Sequence, residues 1–117
     1  MKEKKIKKSK LLPPISVDEV PFDLPNSWEW VRLNDFGNWG AGATPRRTNY
    51  EYYDGSIPWL KSGELNDGLI SDSEEKITAL ALKKCSLQVN QPGDVLIAMY
   101  GATIGKVGIL NIEATTN

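Results

Sequence analysis

The sequence contains no histidine and a single cysteine, Cys85. The first absence removes the commonest general base near neutral pH and the commonest nitrogen ligand for a metal. The second leaves no internal disulfide and no thiolate cluster for zinc, and it fits a reducing compartment, expected here to be the cytoplasm. No apolar run approaches the ~20 residues of a membrane-spanning helix, so no membrane partner is expected. The basic N-terminus also lacks the apolar stretch of a secretory signal. Asp72, Glu74 and Glu75 lie close in sequence, yet nothing apolar surrounds them to raise a carboxyl pKa. They are expected to form a solvated loop, not a catalytic dyad. A self-sufficient enzyme is not expected, and no cofactor is assigned to the chain.

What is present bounds a small fold. A chain of 117 residues makes one domain at most. Its 40% hydrophobic content, with four Trp, four Tyr and two Phe, supplies a small core. The net charge of −1 hides an asymmetry: residues 1–10 carry six Lys against one Glu, and the remainder carries eight basic against fourteen acidic residues. Net charge therefore does not point to nucleic acid. DNA binding by such a body needs a local face or a larger assembly.

The lysine-rich head reads as a solvated tail or the end of a charged helix. The segment LLPPISVDEVPFDLP, with Pro13, Pro14, Pro21 and Pro25, reads as a linker lying across a surface, because proline fixes φ and biases its predecessor toward extended geometry. Residues 1–25 are thus expected to be a basic, proline-rich linker, with folding starting at 26. NSWEWVRL is expected to be a strand, with Trp28, Trp30 and Arg32 on one side and Glu29, Val31 and Leu33 on the other. The segment NDFGNWGAGATPRRTNYEYYDGS is glycine-rich and reads as a long loop with at most one short strand. Its length and its aromatics, Trp39, Tyr50, Tyr52 and Tyr53, suggest a functional loop.

Downstream, Ile57 to Lys61 reads as a short strand running into a turn at Ser62-Gly63. NDGLISDSEEK is polar and turn-rich, with Asn66-Asp67-Gly68 suited to a tight reversal. TALALKKC, Thr78 to Cys85, is the one expected helix. Thr78 can cap its free N–H groups, and Lys83 and Lys84 sit at the negative end of its dipole. Gln91-Pro92-Gly93-Asp94 gives a proline-led turn, followed by strands at VLIAM and VGIL.

Between those last two strands lies YGATIGK, which at first sight suggests a phosphate loop. A Walker-type loop needs four residues between its glycines and a Ser or Thr after the lysine. Here three residues separate Gly101 from Gly105, and Val107 follows Lys106. A strand also follows where a helix N-terminus is required. The glycines instead suit a tight or bulged strand connection.

The richest stretch for recognition chemistry is TPRRTNYEYYDGSIPWLKSGEL. Arg46 and Arg47 can pair bidentately with guanine or phosphate, and Tyr50 and Ser62 can contact backbone oxygens. Lys61, Glu64 and Asn66 add donors and an acceptor suited to base edges. Trp59 is expected to be core. The bland alternative is a surface loop with ordinary charges and aromatics folded inward.

Three blocks in order, PFDLPNSWEWVRL, then GATP…YY.GSIPWLKSGEL, then LIAMYGATIGKVGIL followed by ATTN, resemble the specificity subunit of type I restriction–modification systems. The likeness covers roughly residues 12 to 117. The lysine-rich head and PPISVDEVPF resemble the stretch leading from that family's helical spacer into a target recognition domain. The resemblance implies an α+β, sheet-rich fold: a twisted sheet with short strands, long loops and at least one small helix. Residues 26–117 would be the N-terminal part of a domain that reads half of a split double-stranded DNA target. It implies no catalysis in this chain. Methyltransferase subunits using S-adenosylmethionine and a translocating nuclease (restriction) subunit using ATP would supply that. By position, the loop from Thr44 to Arg47, the turn from Lys61 to Asn66 and the stretch from Tyr100 to Lys106 become DNA-reading candidates.

Family members continue past the point matched by Thr116-Asn117 with further strands and a helical spacer. The expectation is therefore a truncated recognition domain with an exposed sheet edge and uncovered apolar surface, prone to aggregate alone. The alternative function is a fragment serving only as a protein-interaction piece for the methyltransferase subunit.

Overall fold

The structure is a computed structural model that describes residues 12–117. The lysine-rich head, expected to be a solvated tail or helix end, lies outside the described residues. Two units are distinguished by their internal contacts, Met1–Trp39 and Gly40–Asn117.

In the first unit, described from residue 12, the proline-rich stretch is extended except for one 3-10 turn, Val17–Glu19. The Glu19 carboxylate closes that turn by accepting the Ser16 N–H at 2.9 Å. It also receives the Arg32 guanidinium at 3.0 Å, while Arg32 Nε donates to the Pro13 carbonyl at 3.1 Å. The strand expected over 26–33 does not form. Residues 26 and 27 turn instead, the Trp28 N–H donating to Pro25 O at 3.0 Å, and Leu33–Asp35 is a 3-10 turn. A strand requires a partner ladder, and no described strand pairs with this segment. The alternation of side chains serves local packing: Trp30 meets Phe22 with ring centres 5.1 Å apart, and Trp28 stays exposed.

The second unit combines short strands with one small helix, an α+β fold. The described strands are β1 (Tyr53–Leu60), β2 (Gly68–Ile70), β3 (Glu75–Ile77), β4 (Val95–Ile97), β5 (Val107–Leu110) and β6 (Thr115–Thr116). They form two three-stranded sheets, ordered β3-β1-β6 and β2-β5-β4. Each centre strand has one antiparallel and one parallel neighbour: β1 with β3 and β6, and β5 with β4 and β2.

Strand β1 is longer than expected and divides the interior. Successive strand residues point to opposite faces, so Trp59 and Leu60 enter different clusters. Trp59 packs with Ile77, Ala81 and Leu87, and Leu60 with Leu65, Ile70, Ala98, Leu110 and Ala114. Trp59 is 1% exposed, core as expected. Its indole N–H donates to Ala43 O at 3.2 Å, so its burial leaves no orphan donor.

The helix α1 spans Ala79–Lys84. As expected, Thr78 caps it, accepting the Ala81 N–H at 3.3 Å, and Lys83 and Lys84 occupy the last turn. Its buried face begins at Ala81, with Leu82 and Cys85 partly buried beside it.

The expected strand–turn–strand corner is β4–β5. Ala98 N–H donates to Lys106 O at 2.9 Å and Gly105 N–H to Ala98 O at 2.8 Å, closing the base of the 98–106 loop. Gly101 and Gly105 have φ of 84° and 86°, a region that side chains disfavour, which accounts for both glycines without a phosphate.

In the second sheet Ile70, Gly108 and Leu110 turn inward. The alternating positions Leu69, Val95, Ile97, Val107 and Ile109 form an exposed, uncharged apolar face. Among the described residues, no helix is long and apolar enough to cross a membrane.

Candidate nucleic-acid interface

The long loop that carries the arginines is held by its backbone. Ala43 N–H donates to Thr116 O at 3.0 Å, Trp59 Nε1 reaches Ala43 O, and the Tyr53 hydroxyl donates to Pro45 O. Pro45 is buried, so residues 43–45 are an anchored platform, and the following turn is closed by the Asn49 N–H on Arg46 O at 3.0 Å. Thr44 and Arg46 stand exposed on this platform. Tyr50, 85% exposed, begins the 3-10 turn Tyr50–Tyr52.

Arg47 behaves differently from its neighbour. Its two terminal nitrogens grip the Glu75 carboxylate, the second at 3.1 Å. The guanidinium lies 4.8 Å from the Tyr53 ring centre and 5.0 Å from that of Trp59, within cation–π range. The side chain is nonetheless half exposed. Three of its five N–H donors remain free of the carboxylate fork.

Lys61 follows β1 and joins the same carboxylate. Its ammonium lies 3.1 Å from Glu75 and 3.0 Å from Glu74. Hydrogen bonds from Arg47, and next those from Lys61, hold the Glu75 carboxyl at a pKa of about 2. In return Glu75 raises the pKa of Arg47, and Glu74 followed by Glu75 raises that of Lys61. Desolvation pushes the Tyr53 phenol up. The depressed Glu75 carboxyl is the reverse of what a general acid needs. Asp72 and Glu74 are exposed, as expected of a solvated loop, but Glu75 belongs to β3 and is paired, which corrects that part of the expectation.

The turn after Lys61 is closed by its own side chains. Glu64 accepts Lys61 N–H at 2.7 Å and Glu74 N–H at 2.8 Å, so its carboxylate braces two backbone segments. Asn66 Oδ1 accepts Gly68 N–H at 3.1 Å, the reversal expected at Asn66-Asp67-Gly68. Ser62 N–H donates to Asn117 Oδ1 at 3.2 Å, and Ser62 O accepts the Thr103 hydroxyl at 3.1 Å. Asp67 binds Val107 in both directions, N–H to Val107 O at 2.8 Å and Oδ1 from Val107 N–H at 3.0 Å. These bonds tie the turn to the 98–106 loop, where Tyr100 and Lys106 are exposed.

The structure therefore brings the three sequence-predicted segments into one connected series. Arg47 meets Glu75, Glu75 meets Lys61, and the turn after Lys61 meets Thr103. Glu75 was absent from the expected set, and Thr103 lay inside the expected Tyr100 to Lys106 stretch without being singled out. Glu75 had one signal: it lies two residues before Ile77, hence on the same side of a strand as a core residue.

The profile of the type I restriction modification DNA specificity domain matches residues 25–117. The chain belongs to that family. It is 35% identical over 97 residues to the type I restriction enzyme MjaIX specificity subunit of Methanocaldococcus jannaschii, covering 80% of this chain and 22% of that one. It is 29% identical over 93 residues to the EcoR124I/EcoR124II specificity subunit of Escherichia coli, covering 76% and 23%. Against the Escherichia coli EcoAI specificity subunit, identity reaches 59% over 42 residues, 36% of this chain and 7% of that one. The chain thus spans about a fifth of the length of the first two relatives. The expected type I specificity family is the one found.

Proposed function

We propose that this specificity-domain chain contributes to reading part of a double-stranded DNA target for a type I restriction–modification system. In this reading it is a non-catalytic component, working in the cytoplasm, that directs methyltransferase and restriction subunits to their site. Residues 26–117 form part of a target recognition domain, and residues 1–25 lead into it. The observation that carries the reading is the linkage of the 44–47, 61–66 and 100–106 segments by the Arg47–Glu75–Lys61 and Ser62–Thr103 contacts. One recognition surface needs its reading groups held together on a rigid frame. Thr44, Arg46, Arg47, Tyr50, Lys61, Ser62, Tyr100 and Lys106 supply contacts to DNA. Glu64 and Asn66 act there through whatever capacity their backbone bonds leave free.

Duplex binding measured by fluorescence anisotropy over a salt series tests this. Binding that weakens steeply with salt, and weakens further in Arg46→Ala and Arg47→Ala, is the expected result. Affinity unchanged in both variants overturns it.

The exposed face of Leu69, Val95, Ile97, Val107 and Ile109 favours a second reading, in which the chain serves as an interaction piece for the methyltransferase subunit. Copurification with that subunit without DNA affinity is its signature.

A further inference from the structure

The ion cluster around Glu75 invites a simpler explanation, that it ties the arginine loop to the sheet. The hydrogen bonds argue otherwise. The backbone of residues 43–45 is already fixed by Thr116, by the Trp59 indole and by the Tyr53 hydroxyl. The backbone at Lys61 is fixed by Glu64, whose N–H also donates to Lys61 O at 2.9 Å. Neither loop needs the Glu75 carboxylate to keep its path. What that carboxylate fixes is the two cationic heads, Arg47 from one side and Lys61 at 3.1 Å from the other. Glu75 is itself set firmly: it faces Trp59 across the β1–β3 ladder, and its carbonyl accepts the Ser73 hydroxyl at 2.6 Å.

We propose that Glu75 is a positioning residue for DNA recognition: it holds Arg47 and Lys61 as one pre-oriented array of hydrogen-bond donors whose positive charge is already balanced. The inference rests on the DNA reading above and adds to it a division of labour. Long flexible cations bound loosely to phosphate give affinity without sequence information. A guanidinium fixed by a carboxylate fork and two aromatic rings has lost its rotamer freedom before DNA arrives, and its remaining N–H groups point in set directions. The two carboxylates, Glu74 and Glu75, offset the two cations. The array therefore adds little to long-range attraction and contributes through geometry. Arg46, Tyr100 and Lys106, exposed on the flanking segments, are left to supply the phosphate contacts.

The test is selection of bound sequences from a random duplex pool by the whole chain, followed by salt titration on selected and unselected duplexes. Glu75→Gln removes one negative charge and the fork. It is expected to bind unselected duplex at least as tightly, with a salt dependence steeper by about one phosphate contact, while its preference for selected duplex falls roughly tenfold. Glu75→Asp keeps the charge but retracts the carboxylate. It is expected to keep the original salt dependence and lose part of the preference.

Retention of the original preference by both variants overturns the proposal, as does a proportional loss of affinity on both duplexes, which marks a purely structural role. Should Glu75→Gln not fold, Glu75→Asp decides alone: a lowered preference supports the proposal and an unchanged one refutes it. Absence of any selected sequence with the unaltered chain would overturn the DNA reading itself, and this inference with it.

Discussion

Arg47 clasps the Glu75 carboxylate with both arms of its guanidinium while lying over the rings of Tyr53 and Trp59. One side chain thus joins a loop, the core strand β1 and the neighbouring strand β3. Removing Glu75 leaves the guanidinium without the carboxylate it grips, whereas removing Arg47 leaves Glu75 still paired with Lys61 at 3.1 Å.

This pair has a pH signature. The Glu75 carboxyl is depressed from the usual 4.5 to about 2. A group whose pKa is lowered by folding stabilises the fold above its unfolded pKa, and that contribution is lost as pH falls through the folded value. The stability difference between the native chain and Glu75→Gln should therefore hold steady above pH 4.5 and shrink as pH falls from 4.5 toward 2. Urea unfolding across that range measures it. A difference that does not shrink there would mean the carboxylate is unpaired in solution.

The cap of α1 should be worth a measurable amount. The Thr78 hydroxyl accepts from Ala81 N–H and donates to Glu51 O at 2.7 Å, joining the helix to the tyrosine-rich turn. Thr78→Ala loses both bonds and should cost about 1–2 kcal/mol. Thr78→Ser should retain most of that stability. Equal urea midpoints for Thr78→Ala and the native chain would refute the assignment.

What the sequence made legible was local, and what it hid was long-range. The Thr78 cap, the Gln91–Asp94 turn and the glycine-bearing corner at Gly101 and Gly105 are each determined by residues close together, and each formed as expected. Strands β2, β3 and β6 span three, three and two residues, too few to display an alternating pattern. Thr115-Thr116 is a strand only because β1 lies beside it in parallel, far away in sequence. Conversely, at Trp28 to Leu33 an alternating pattern without a partner strand produced no sheet. The candidate site followed the same rule. Arg47 and Lys61 stood out by type, but their link runs through a carboxylate 28 residues from Arg47, and the fold makes that link.

Close packing at Gly55 gives a further expectation. A β-carbon built there would stand 2.2 Å from Ile77 O, on the strand pair whose register shifts between Tyr53 and Ile57. Gly55→Ala must push β1 and β3 apart and should destabilise by roughly 1–3 kcal/mol. Chemical denaturation reads this directly, and a neutral substitution would mean the two strands pair differently.

The apolar face of β2-β5-β4 should govern self-association without governing stability. Leu69 and Val95 are 65% and 66% exposed. Leu69→Lys and Val95→Lys should each change folding stability by no more than about 0.5 kcal/mol. Together they should lower the fraction of large species relative to the native chain, as read by sedimentation velocity. Loss of cooperative unfolding in these variants would show that the face is buried in the folded chain.

The most direct measurement is an NMR titration of the isotope-labelled chain with a random-sequence duplex at low salt, following backbone amides. DNA recognition through the linked loops requires shifts concentrated in residues 44–47, 61–66 and 100–106, reversed by added salt. Shifts confined to the apolar strands at 95–97 and 107–110, or none anywhere, would contradict it.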